Sequence, residues 1–417
     1  MPMSSARLAS GLNFSVRFAR AATLVGVAFL AGCLDTAPKR PTVSTNELAF
    51  SEAIVVATDG LVAQTQKLPA FLAKVESKIG TKLGQKSVVV DPTIDATSGQ
   101  QTHTTQLLEQ RIGERLARME GGFQLLPFKT ENLAKVQYLL TGTLTRLLGV
   151  PGKRSLQINL ALVEIKTGQV VAQASALARD DGLNHTPLAI YQDSPVLVKD
   201  KVIDGYISTA LTAPGGAANS LYMERVAVAS VINEAGTLYN AERFPESLAK
   251  YQEARSQAGG EQLRTLNGIY LNFVRLGRTA EAETAFGQIV AYGLRSNKLD
   301  VKFLFNPGSS TEFWSDPRVS GAYPMWLRQI AKESAGAKVC MALVGHTSHT
   351  GTEQANDSLS LQRATFIQQR LATETSALAQ RIKPSGMGWR ENLVGSGSDN
   401  AVDALDRRVE FRVEPCR

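Results

Sequence analysis

The sequence predicts a multi-domain α+β protein: an N-terminal α/β region, a set of helical hairpins, and a C-terminal mixed sheet with helices. Three observations carry this. A chain of 417 residues is too long for one core, so about two to four domains are expected. Short apolar strands alternate with helix-period segments over residues 47–213 and again over 301–417, whereas residues 214–300 read as helical and repeat. Charge and apolar content are those of an ordinary globular protein. No long basic block or basic–aromatic ladder is present, so no nucleic-acid partner is expected.

In chain order, Arg7, Arg17 and Arg20 precede an apolar run from Ala21 to Leu30. That run is too short to span a bilayer and reads as the core of a secretory signal. It ends Leu30-Ala31-Gly32-Cys33, which resembles the bacterial lipobox. The resemblance implies removal of residues 1–32 and acylation of Cys33; the alternative is a buried cysteine after an ordinary signal. Cleavage removes three arginines and no acid, taking the formal charge from +7 to +4. Several acyl chains anchor a protein stably where one does not. Leu34, where inner-membrane lipoproteins carry aspartate, implies the outer membrane, facing the periplasm. Residues 33–46 are polar and Pro-containing, a lipidated tether.

Residues 47–213 read as an α/β domain. Helices are expected over 50–64, 68–79 and 104–119, and strands over 87–91, 123–127, 137–147, 156–165 and 169–176. Lys166-Thr167-Gly168 is a hairpin turn between the last two strands. This pattern, with Asp91-Pro92 after the first strand, is similar to periplasmic lipoprotein domains of the penicillin-binding-protein activator, curli-export and flagellar type. That resemblance implies surface contacts with protein partners, and a generic α/β domain remains the alternative. Residues 213–218 (Ala-Pro-Gly-Gly-Ala-Ala) read as a linker.

Beyond it, Glu246 and Glu281, and Tyr251 and Phe286, each stand 35 apart. With the small residues around them they resemble the tetratricopeptide repeat, whose period is about 34. An ordinary helical bundle is the alternative. So few repeats cannot bury their own faces and should lean on a flanking domain.

The C-terminal segment opens with an expected strand over 301–305 and a helix over 324–332. An apolar strand, Val339–Val344, then enters Gly345-His346-Thr347-Ser348-His349-Thr350-Gly351. Asn356 and Asp357 suit an N-cap, and Leu359, Ile367 and Leu371 follow at helical spacing, with Arg363 in the first two turns. Val409, Phe411 and Val413 alternate with charged residues in a closing strand. The spacing from Gly345 to Ala364, with Asp406-Arg407-Arg408-Val409-Glu410-Phe411, resembles the OmpA-like, peptidoglycan-binding domain, so residues 301–417 are expected to adopt its βαβαβ-type mixed sheet.

Peptidoglycan stems carry a diamino acid with a free ammonium and a free carboxylate. The resemblance implies an arginine for the carboxylate, at Arg363, because its planar fork donates two parallel hydrogen bonds. It implies an aspartate for the ammonium, and here that position is Ser348, which brings no charge. Thr350, Asn356 and Arg407 are further candidate contacts. Against these stand helix capping for Asn356, an ion pair with Asp406 or Glu410 for Arg407, and a solvated helix arginine for Arg363. His346 and His349 lack a third ligand at metal spacing, so no metal is expected. Cys340 and Cys416 bridge if their strands are antiparallel neighbours, or stand independently. No nucleophile, phosphate-loop or zinc-protease motif appears, and no cofactor is implied. The expected protein is a non-catalytic outer-membrane lipoprotein that holds peptidoglycan and scaffolds a periplasmic protein partner. The alternative is a regulator of a peptidoglycan synthase or of a secretion or flagellar assembly.

Overall fold

Residues 42–179 build a mixed sheet from β1 (Thr42–Leu48), β2 (Ser87–Val90), β3 (Ile94–Asp95), β4 (Gln124–Leu126), β5 (Tyr138–Leu148), β6 (Arg154–Glu164) and β7 (Gln169–Arg179). The order is β1-β7-β6-β5-β2-β4, with β3 beside β5. β5, β6 and β7 form an antiparallel meander, and the hairpin between the last two turns at Gly168, whose φ of 68° needs glycine. Side-chain alternation splits the core. Leu156, Ile158, Leu160 and Leu162 of β6 face helices α1 (Phe50–Thr65) and α2 (His103–Arg118), while Ala161 and Val163 face α3 (Lys201–Leu211) and the start of the helical layer.

The structure, a computed structural model, describes residues 42–65, 86–119, 123–148, 154–393, 397, 399 and 402–416. All of them lie in one compact unit spanning Pro38–Arg417. The helix expected over 68–79, the 1–32 signal and Cys33 lie outside the described residues. The 213–218 segment is bound to the sheet: Val170 donates to the Gly216 carbonyl, and Gly215 donates back to Val170. A run of small residues signals a linker by composition, but its free backbone groups are satisfied along the edge of the hairpin.

Four helices follow: α4 (Val226–Asn240), α5 (Phe244–Ser256), α6 (Leu263–Arg275) and α7 (Thr279–Arg295). Their geometry repeats at 35 residues. Glu242 and Gly277 both adopt positive φ, at 59° and 71°, and Arg243 and Arg278 each pair with a glutamate three residues on. Tyr251 lies flat on Gly268, where an added Cβ would stand 2.3 Å from the ring.

The C-terminal part contains β8 (Lys298–Leu299), α8 (Tyr323–Ala337), β9 (Cys340–Gly345), α9 (Glu353–Glu374), β10 (Ile382–Gly386) and β11 (Val409–Glu414). Its sheet runs β10-β9-β11-β8, with β10 parallel to β9 and β11 antiparallel to it. The edge strand is 298–299, ahead of the expected 301–305. Residues 301 and 302 make only single bridges, because their backbone divides between the Val196 segment and Val409. Lys302 is drawn inward, its Nζ donating to the Tyr191 carbonyl at 3.1 Å. Cys340 and Cys416 are joined by a disulfide, next to the paired residues Cys340 and Glu414 of the antiparallel strands.

The helical layer and the C-terminal sheet share one apolar core. Phe286 of α7 stacks on Trp326 of α8 with centroids 5.4 Å apart, and Trp326 Nε1 donates to Tyr270 Oη at 2.8 Å.

One buried charge gives the fold a measurable signature. Burial raises the Asp91 carboxyl to about 6, against a 2.6 Å hydrogen bond donated by Tyr222. A carboxyl raised on folding stabilises while protonated, and that contribution is lost as pH rises through its folded pKa. Asp91→Asn removes the titration. Urea unfolding should therefore show wild type losing stability relative to the variant between about pH 4 and about pH 7, on the order of 2–3 kcal/mol. Parallel pH curves for the two proteins would exclude this buried titration.

Candidate functional site

The site is built where α9 presses on β9 and β10. Gly345 ends β9 against the helix: a Cβ there would stand 1.9 Å from the Ser360 carbonyl oxygen. Gly386 is also crowded, with Ser360 Oγ at 2.5 Å from its would-be Cβ. Ser360 Oγ also accepts from Gly388 N at 3.0 Å. The helix starts earlier than its sequence suggests. Thr352 is the N-cap, accepting from Ala355 N, so Asn356 falls in the first turn and Arg363 in the third. Asn356 points back, its Nδ2 donating to the carbonyls of Thr350 at 2.6 Å and Thr352 at 2.9 Å. It fastens the loop to the helix.

Arg363 is fully buried. Its Nε donates to the Ser309 carbonyl at 2.9 Å, Nη1 to His346 at 3.0 Å and Nη2 to Asn306 at 3.2 Å. Its guanidinium carbon lies 5.2 Å over the Phe305 ring. Burial, with Arg407 nearby, lowers its pKa to about 9. These are structural bonds to backbone, so the guanidinium does not offer the open fork that the resemblance implies.

Arg407, Ser348 and Thr350 converge instead on a residue the sequence reading missed, Asp399. Its Oδ1 accepts from Ser348 Oγ at 2.6 Å and from Arg407 Nη1 at 2.7 Å, and Thr350 Oγ1 stands 3.4 Å from Oδ2. Arg407 is itself buried, with Nε on the Phe305 carbonyl and its guanidinium 5.2 Å over Trp314. Its acid partner is thus Asp399, neither Asp406 nor Glu410. Asp399 adopts φ 55°, a left-handed conformation that aspartate tolerates. Its backbone N–H donates to the buried carboxylate of Asp403 at 2.9 Å, which holds it there. The only advance signal was that a buried Arg407 demands an acid, and nothing in the spacing says which.

His349 packs its ring on Trp389, centroids 4.5 Å apart. His346 turns the other way, into a cluster with Glu391 and Glu410 whose candidate ligand atoms lie within 4.8 Å of one another. Two histidines at loop spacing could not reveal this grouping. Arg408 and Arg412 already pair with those carboxylates, at 2.5 Å each, so the cluster is charge-compensated as it stands. Burial pushes the His346 imidazole below its usual pKa.

A model of the OmpA family matches residues 322–404. The C-terminal part of the chain is therefore OmpA-like. Similar solved structures include the peptidoglycan-associated lipoprotein from Burkholderia pseudomallei, at 20% identity over 27% of this chain and 89% of that one, with a TM-score of 0.24. A MotB-like protein from Desulfovibrio vulgaris is 18% identical over 34% of this chain and 97% of that one, TM-score 0.24. The OmpA-like domain of FopA1 from Francisella tularensis is 16% identical over 29% and 75%, TM-score 0.22. No match is found among curated proteins.

Arg363→Ala strips the donor from three carbonyls at once, each costing about 1–3 kcal/mol when left buried and unpaired. Urea denaturation should show a loss of at least about 3 kcal/mol. Arg363→Lys, with one nitrogen, should recover only part. A loss under about 1 kcal/mol would show that the guanidinium is not a structural tie.

Proposed function

We propose that this chain is a non-catalytic lipoprotein that holds peptidoglycan through its OmpA-like domain. The match over residues 322–404 carries the reading, because it spans the strand, polar loop and helix that frame Ser348, Thr350 and Asn356. Acylation at Cys33 anchors it in the outer membrane with the folded part in the periplasm. The helical layer and the N-terminal sheet present surfaces to periplasmic proteins. Two features support that scaffold role. A cleft of about 830 Å³ opens between α2, β4 and α4, with Glu109, Gln106, Phe128 and Asn233 on its walls. The core shared by the helices and the C-terminal sheet keeps the wall-facing end in register with that cleft. Membrane and wall tethers on one molecule raise each other's effective concentration, so a modest wall affinity suffices.

The test separates anchor from wall contact. Wild type should fractionate with the outer membrane and Cys33→Ala with the soluble periplasm. The purified Cys33→Ala chain should pellet with isolated sacculi and stay in solution without them. A folded Cys33→Ala chain that remains in the supernatant with sacculi would overturn peptidoglycan binding.

A further inference from the structure

Among the described residues, Asp399 is the one carboxylate bonded to both the loop hydroxyl at 348 and a buried arginine. Its side chain keeps 30% exposure above the almost fully buried Arg407. A carboxylate offers about four lone-pair sites. Ser348 and Arg407 both bond Oδ1, whereas Oδ2 meets only the Thr350 hydroxyl, at 3.4 Å. That is too long for a strong O–H···O⁻ bond, which lies near 2.5–2.7 Å. So one oxygen is fixed by the protein and the other, on a side chain that is 30% exposed, stands beside a hydroxyl.

The carboxylate is also preorganised. The backbone N–H on Asp403, the left-handed φ and two short bonds at Oδ1 leave little to order on binding. A cation with several donors fits this rim: Oδ2 and Thr350 Oγ1 both accept. An incoming anion does not fit as well, because Arg363 is spent on three carbonyls and Arg407 on Asp399 and Phe305.

We propose that Asp399 is the carboxylate that receives the ligand's primary ammonium group, taking over from a distant loop the charge that Ser348 lacks. The proposal rests on the wall-binding reading above and names the ligand group as the free side-chain ammonium of the stem-peptide diamino acid. Ser348 becomes a positioning residue, its hydroxyl fixing the rotamer of Asp399. Position 348 and the carboxylate are one hydrogen bond apart, so the charge sits close to where an aspartate at 348 would place it.

The experiment is co-sedimentation of the full Cys33→Ala chain with native sacculi and with sacculi whose free amines have been acetylated. The unsubstituted site should pellet with native sacculi and lose binding to acetylated ones. Asp399→Asn should bind native sacculi about tenfold more weakly, the scale of one lost charge-assisted hydrogen bond, and should be indifferent to acetylation. Ser348→Asp combined with Asp399→Asn returns a carboxylate beside Arg407 without setting two acids against each other, and should recover both binding and acetylation sensitivity. That rescue would not follow if Asp399→Asn merely loosened the fold. Acetylation without effect on the unsubstituted site would overturn the proposal and needs no folded variant. So would unchanged pelleting by a folded Asp399→Asn. Tighter pelleting by that variant would also overturn it, showing that Asp399 occupies a site meant for a ligand carboxylate. Absence of pelleting by the unsubstituted site would overturn the wall-binding reading itself, a different failure.

Discussion

A buried guanidinium with three carbonyl acceptors is the tie on which the C-terminal domain depends. Arg363 projects from α9 and gathers the 306–309 turn on one side and the His346 carbonyl at the end of β9 on the other. A charge this deep is tolerated only with its donors filled. The geometry therefore constrains everything around it. The turn must fold over the helix, β9 must end where His346 O faces inward, and α9 must sit close, which is why Gly345 and Gly386 have no room for a side chain. The domain's polar loop is held in shape from below by Arg363, leaving its upper side to Ser348, Thr350 and Asp399.

The same domain is not free of its neighbours. Its edge segment 300–302 exchanges backbone bonds with Pro195 and Leu197, and Lys302 reaches the Tyr191 carbonyl. Burial lowers that ammonium's pKa to about 8, a cost accepted only where carbonyls and packing surround it. Trp326 meets Phe286 and Tyr270 across the boundary. Two helical hairpins cannot close their own core, and here the open end is capped by α8. The polar loop and the helical layer are thus joined through one continuous apolar core.

Much of this could be read from residues. The meander β5–β7 and its turn at Gly168 follow from alternation and turn chemistry, and Ile367 and Leu371 lie on the buried face of α9 as their helical spacing implies, whereas Leu359 is only half-buried. The 35-residue recurrence shows in the paired Arg243–Glu246 and Arg278–Glu281 contacts. What could not be read is pairing between distant segments. Helix-capping preference favours Asn356, yet Thr352 takes the cap because Asn356 is needed to hold Thr350. Small residues at 213–218 look unbound, yet their backbone finds the hairpin edge. Arg363 and Asp399 are the sharpest cases, since neither the carbonyls around one nor the arginine beneath the other leaves a trace in spacing.

Those two residues also explain how the site can hold charge without collapsing. Arg363 and Arg407 bring two cations under the loop, and their repulsion contributes to the lowered pKa of Arg363. Asp399 lies against Arg407 and offsets part of that repulsion, while the carboxylates of Asp403 and Asp406 secure backbone N–H groups of the same loop, at Asp399 and Leu393. The acids of the 399–406 segment thus have distinct tasks: two fasten the backbone and one faces outward. Moving the ligand-facing carboxylate to this segment frees position 348 for a small hydroxyl. It also makes the charge at the mouth depend on Arg407 staying paired beneath it. Binding and folding of the loop are therefore coupled through a single oxygen, Asp399 Oδ1, which accepts from both the loop hydroxyl and the buried arginine.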